Sequence, residues 1–145
     1  MKKTLILLGM ILGGAASAQT FQVSGAGSLT SAQFGGFFGV SVLNLTELAG
    51  APIDVRLSGD LASGQAYVNG DVLVNFPVDA ANLYAGLGAS FAVNGVNAAP
   101  FFATATLGAN YPITDQIGVF AEGALRYNFN TFNRSAIRAG VSYTF

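Results

Sequence analysis

Hydrophobic and polar positions alternate along most of this chain. Read backwards from the last residue, Phe145, Tyr143, Val141, Ala139 and Ile137 share one face of a β-strand, and Thr144, Ser142, Gly140, Arg138 and Ala136 share the other. The segment before it repeats the pattern, with Ile117, Val119, Ala121, Leu125, Tyr127 and Phe129 opposed to Glu122, Arg126 and Asn128. Eight such segments can be laid out, at about 20–29, 34–43, 52–61, 66–76, 82–93, 101–111, 117–129 and 134–145, separated by turn signals rich in Gly, Asn, Asp, Pro and Ser. The third is the most informative of the early ones. There Ile53, Val55, Leu57 and Leu61 alternate with Asp54, Arg56, Ser58 and Asp60, so one face is apolar and the other carries charge of both signs. Helical spacing fits none of the eight as well.

A soluble sheet shows the same alternation, so composition has to decide which face meets water. Hydrophobic residues make up 52% of the chain and charged residues only 9%, against about a quarter charged in soluble domains. Beyond the first residues there is no apolar run of roughly 18 residues that would make a transmembrane helix. Apolar residues at every second position with a polar alternate face reconcile these facts as a closed barrel in a membrane, in which no long apolar run is needed. The predicted fold is all-β, an eight-stranded antiparallel up-and-down transmembrane β-barrel.

The N-terminus agrees with export. Lys2 and Lys3, the apolar run Leu5 to Leu12, and Ala16-Ser17-Ala18 have the order of a secretory signal peptide over residues 1–18, which leaves residues 19–145 as one barrel domain. Loss of Lys2 and Lys3 leaves 4 basic residues against 7 acidic ones, a net charge of −3 with no basic patch for nucleic acid.

An even strand count puts both termini on one side of the membrane, expected to be the periplasmic side. The turns Asn44 to Ala51, Pro77 to Ala81 and Pro112 to Gln116 then share that side, and the connections Thr30 to Gln33, Ala62 to Gln65, Asn94 to Pro100 and Asn130 to Asn133 face outward. On this layout the aromatics of the apolar face fall at strand ends: Phe76, Tyr111, Tyr143 and Phe145 on the periplasmic side, and Phe34, Phe91, Phe101 and Phe129 opposite. Two girdles of this kind form at the two interfaces of a membrane; aromatics at the strands and edges of a soluble sandwich are the competing explanation.

The chain resembles the small eight-stranded outer-membrane barrels of diderm bacteria, of the outer-membrane-protein-A and X type. The likeness is carried by Gly108-Ala-Asn-Tyr-Pro-Ile-Thr-Asp-Gln-Ile-Gly118, similar to a periplasmic hairpin of that family, and by the terminal Arg138-Ala-Gly-Val-Ser-Tyr-Thr-Phe145. The resemblance implies an outer-membrane location, lipid as the surrounding partner and a monomeric barrel. It also implies that Val141, Tyr143 and Phe145 form the C-terminal signal read by the outer-membrane insertion machinery. The long surface loops that several family members use for adhesion are missing here.

Chemistry is limited by what the chain lacks. With no histidine and no cysteine, the Ser-His-Asp triad, the Cys-His pair and histidine metal sites are excluded. Outer-membrane barrel enzymes that modify lipid or cleave peptides resemble this protein in fold but rely on histidine, so no enzyme, cofactor or metal is expected. The charged residues of the inner face, Asp54, Arg56, Asp60, Asp71, Glu122, Arg126 and Arg138, are expected to pair with one another in the lumen, because buried charge is costly unless paired. A turn at Phe129 to Asn133 sets Arg138 diagonal to Glu122, and a register displaced by two would oppose Arg138 to Arg126. Phe37, Tyr67, Tyr84, Phe102 and Phe120 point inward beside the charges, which argues against a continuous channel in so small a barrel. Three functions remain open: a non-enzymatic outer-membrane barrel with a structural or interaction role, a narrow pore for small solutes, and a soluble secreted β-domain that binds a ligand or partner.

Overall fold

A computed structural model of the protein describes residues 20–30, 32–62, 65–93, 101–129 and 132–145. The expected signal peptide and parts of the connections near residues 31, 63–64, 94–100 and 130–131 lie outside them. All regular structure among the described residues is β-strand: β1 (Thr20–Thr30), β2 (Gln33–Leu48), β3 (Ala51–Ala62), β4 (Gln65–Val78), β5 (Ala81–Ala92), β6 (Phe101–Pro112), β7 (Ile117–Tyr127) and β8 (Phe132–Thr144). Each strand pairs antiparallel with the next, and β1 pairs with β8, so the sheet closes on itself. Closure leaves no unpaired edge, which a sheet of this apolar character would otherwise offer to other chains.

The two faces of every strand separate as the period of two requires. Phe37, Tyr67, Tyr84, Phe102 and Phe120 are buried inside together with Ser, Thr, Asn and charged side chains. Leu107, Leu87, Phe38, Leu57, Ile137 and Val141 stand exposed outside. This inverts a soluble domain, in which large apolar side chains are buried and charges are exposed. Leu73, Ala124 and Ala136 are also buried, so the lumen is not wholly polar.

Several boundaries differ from the sequence expectation. Asn44 to Ala51 is not an open turn: β2 runs on to Leu48 across a bulge between Val42 and Thr46, and only Ala49 and Gly50 form the turn. Both turn residues have positive φ, 53° and 83°, as a two-residue hairpin matched to strand twist requires. Asn44 takes φ 53° within the bulge, a conformation its short amide side chain tolerates. Pro77 does not close β4 but sits inside it opposite Asn82, with the turn at Asp79 and Ala80. Phe129 is not a strand residue, since β7 ends at Tyr127. The last hairpin has neither register considered above: Glu122 lies directly opposite Arg138, and Arg126 lies opposite Arg134.

Glycines open space for the crowded lumen. A Cβ on Gly108 would collide with the Tyr84 ring, and one on Gly88 with the Gly70 carbonyl and the Asp71 carboxylate. At Gly88 the obstacle is backbone, so only hydrogen fits, whereas at Gly108 the Tyr84 ring would have to give way.

Candidate functional site

The three arginines of the lumen hold three acids in one alternating chain. Arg56 on β3 faces its cross-strand partner Asp71 on β4; its Nη2 and Nε donate to Asp71 Oδ2 at 3.1 and 3.3 Å. Its Nη1 crosses the barrel to Glu122 Oε2 at 2.7 Å. Glu122 Oε1 accepts from Arg138 Nη1, Arg138 Nη2 reaches Asp60 Oδ2, and Arg126 Nη2 reaches the same oxygen of Asp60. The order is therefore Asp71, Arg56, Glu122, Arg138, Asp60, Arg126, with three charges of each sign. Arg126 and Arg138 are only 1% and 2% exposed, so pairing is what allows them to stay in a low-dielectric interior.

Neutral groups extend the lattice, in which Asp60 Oδ1, Arg126 Nη1 and Arg138 Nε are left without a hydrogen-bond partner. Tyr84 donates to Glu122 Oε2 at 2.8 Å, Thr104 donates to Asp71 Oδ1 at 3.1 Å, and Arg126 donates to Ser90 Oγ and Asn69 Oδ1 at 3.3 and 3.2 Å. Aromatic rings cover the guanidinium faces: Arg126 lies 4.4 Å from the Tyr67 ring centroid and Arg138 4.5 Å from that of Phe37. Phe37 packs edge-on against Phe120, and Tyr67 against Phe102, each at 6.0 Å. These rings lie in the interior beside the ionic chain.

Of the seven charged residues that the sequence places on the inner face, all are buried, and six join the chain. Asp54 stands apart. Its Oδ1 accepts the Asn44 amide at 2.8 Å, and no ion pair reaches it among the described residues. Asp54 lines a cavity of about 290 Å³ together with Asn75, Asn82, Asn110 and Ser142, with Arg56, Tyr84 and Phe120 among its deeper walls. The hydroxyl and amide partners of the lattice, Tyr84, Ser90, Asn69 and Thr104, were legible in the sequence only as members of the polar face. Their specific pairing follows from the stagger of the strands.

The eight expected aromatics are all on the outside. Phe91 and Phe101 are cross-strand neighbours with an edge-on contact at 5.1 Å, and Phe129 stacks on Phe101 at 5.8 Å. Tyr143 and Phe145 meet edge-on at 5.0 Å at the other end of the barrel, where Phe76 and Tyr111 are also exposed. Phe34, at the start of β2, is 86% exposed. Val141 lies beside Tyr143 on the same outer face. Within the ionic chain each carboxylate is held by at least one guanidinium group, and no cluster of three metal-binding side chains occurs among the described residues.

A closed up-and-down sheet of eight strands, apolar outside and ionic within, defines the class of small transmembrane β-barrels. No family model and no curated protein sequence matches the chain. Solved structures do match. A de novo designed transmembrane β-barrel aligns with a TM-score of 0.67 at 10% identity, over 90% of this chain and 98% of its own. The N-terminal β-barrel domain of Pseudomonas aeruginosa OprF aligns with a TM-score of 0.65 at 14% identity, over 87% and 97%. The outer membrane enzyme PagL aligns with a TM-score of 0.58 at 11% identity, over 86% and 98%. At these identities the likeness is one of fold. Because it takes in both a designed barrel and an enzyme, fold alone carries no activity.

Proposed function

We propose that this protein is a non-enzymatic integral barrel of the bacterial outer membrane, of the outer-membrane-protein-A and X type, with a structural or interaction role in the cell envelope. The observation that carries this reading is the inverted barrel: large apolar side chains exposed around a closed sheet, with ion pairs sealed inside. Such an exterior is compatible with lipid and poorly compatible with water. The outer-membrane barrels among the structural neighbours support the location. The absence of histidine and cysteine from the whole sequence, and the engagement of Asp60, Asp71 and Glu122 by arginine, support a role without catalysis. On this reading residues 1–18 direct export, the two aromatic clusters sit at the lipid interfaces, and Val141, Tyr143 and Phe145 engage the insertion machinery. The barrel acts as a monomer, with the three short turns in the periplasm.

The test is electrophoretic mobility of the membrane-fraction protein in SDS with and without boiling. A compact band in the unboiled sample that slows on heating is expected. Recovery in the soluble fraction with no heat-dependent shift would replace this reading with a secreted sheet domain.

A further inference from the structure

The six-membered ionic chain balances three charges against three, so the uncompensated charge of the barrel lies elsewhere. It gathers at one end. Glu47 beside the Ala49–Gly50 turn, Asp79 in the next turn and Asp115 in the third are exposed on the same rim, and Asp54 lies just inside it. No lysine or arginine of the described residues lies on that rim; Arg56 reaches the inner wall of the cavity below it but is already paired with Asp71 and Glu122, and Arg134 lies near the start of β8 at the opposite end. The cavity of about 290 Å³ is built at this acidic end, close to the lower limit of small-ligand pockets, roughly 300 Å³.

Two features inside the cavity point to a ligand independently of the rim. Asp54 is 7% exposed and has no cationic partner among the described residues, while buried carboxylates normally have one. Ser142 is 4% exposed, and its Oγ has no hydrogen-bond partner. The Asn82 and Asn110 Oδ1 atoms are likewise unpartnered, so three walls of the cavity carry acceptor oxygens. Leu43, Leu73 and Phe120 supply apolar wall between them. One unpaired carboxylate, several neutral oxygens, apolar surface and a guanidinium, Arg56, whose charge is already met by Asp71 and Glu122 do not suit a metal ion, which takes several hard ligands. They suit an ammonium group on a short hydrocarbon body.

We propose that this vestibule binds a small organic cation of the alkylamine or diamine class, with Asp54 as its counter-ion, the neutral oxygens of Asn82, Asn110 and Ser142 as further acceptors, and the acidic rim concentrating cations at the entrance. The site rests on the barrel and its charge layout and not on the membrane assignment, so its failure and the failure of that assignment are distinguishable.

The experiment uses the full mature barrel folded in detergent micelles at low ionic strength, titrated with 1,4-diaminobutane and, as a neutral control, 1,4-butanediol. One saturable site for the diamine and none for the diol is expected by calorimetry. Asp54→Asn should weaken binding about tenfold or more, whereas the triple variant Glu47→Gln, Asp79→Asn, Asp115→Asn should weaken it less and only at low salt. Heat-modifiable mobility checks that each variant is folded. Amide NMR shifts of the unmodified protein decide independently of the variants: perturbation at Asn82, Asn110 and Ser142 supports the site. Shifts confined to the turns, equal binding by Asp54→Asn, equal binding of the diol, or no saturation would each overturn it.

Discussion

At the residue scale, Glu122 holds the lattice together, because it joins Arg56 to Arg138 and also accepts from Tyr84. Removing one member of a buried pair leaves the other uncompensated, which costs about 3–5 kcal/mol. Glu122→Ala, which strands two arginines at once, is therefore expected to destabilise the barrel by at least that range in urea unfolding from lipid vesicles; a change below about 1 kcal/mol would mean that the ion pairs add nothing net. The inner face of each charge was legible in the sequence, since a period of two fixes which side of a strand a residue occupies. Partnership was not. Asp54 shares a face with Arg56, yet its carboxylate accepts the Asn44 amide at the β2 bulge. That bulge is a local departure from pairing with no signature in alternation. The direct Glu122–Arg138 opposition depends on how the final hairpin is joined, and the turn residues there allow more than one register.

At the element scale, strand number and order followed from the sequence, and strand ends did not. Asn44 and Pro77 are local breakers, but pairing with a neighbouring strand overrides that propensity: β2 continues through its bulge, and Pro77 lies one residue from the end of β4, where a missing N–H is tolerated. The outer face makes a prediction graded by depth. Leu107 is 69% exposed near the middle of β6, whereas Val119 lies toward the turn end of β7. Leu107→Arg should cost roughly 2–4 kcal/mol of folding free energy in vesicles, and Val119→Arg less, because the penalty falls toward the interface. Equal costs for the two would argue against a lipid-facing band centred on Leu107.

At the scale of the whole molecule, the lumen is divided. A vestibule occupies the turn end, while the ionic chain and the Phe37, Phe120, Tyr67 and Phe102 rings lie in the interior beyond it. The interior of an eight-stranded barrel is just wide enough for side chains to fill, so purified protein in planar bilayers is expected to show no reproducible single-channel openings; regular openings would favour a narrow pore. The pairing of β1 with β8 has a consequence for chain order. Gln22 donates to Thr144 at 3.3 Å across the seam, and the Phe145 amide donates to the Phe21 carbonyl at 2.9 Å, so the ends of the barrel are neighbours. A circular permutant joined there and opened between Ala49 and Gly50 keeps every strand pair, and it should refold in detergent with the mobility of the parent. Its last strand would end at Leu48 and its chain at Ala49, after Thr46-Glu47-Leu48, without a terminal aromatic. If the insertion machinery reads Phe145 at the chain end, the permutant should fold in vitro yet fail to assemble in cells, which would separate what the sheet needs from what the cell recognises.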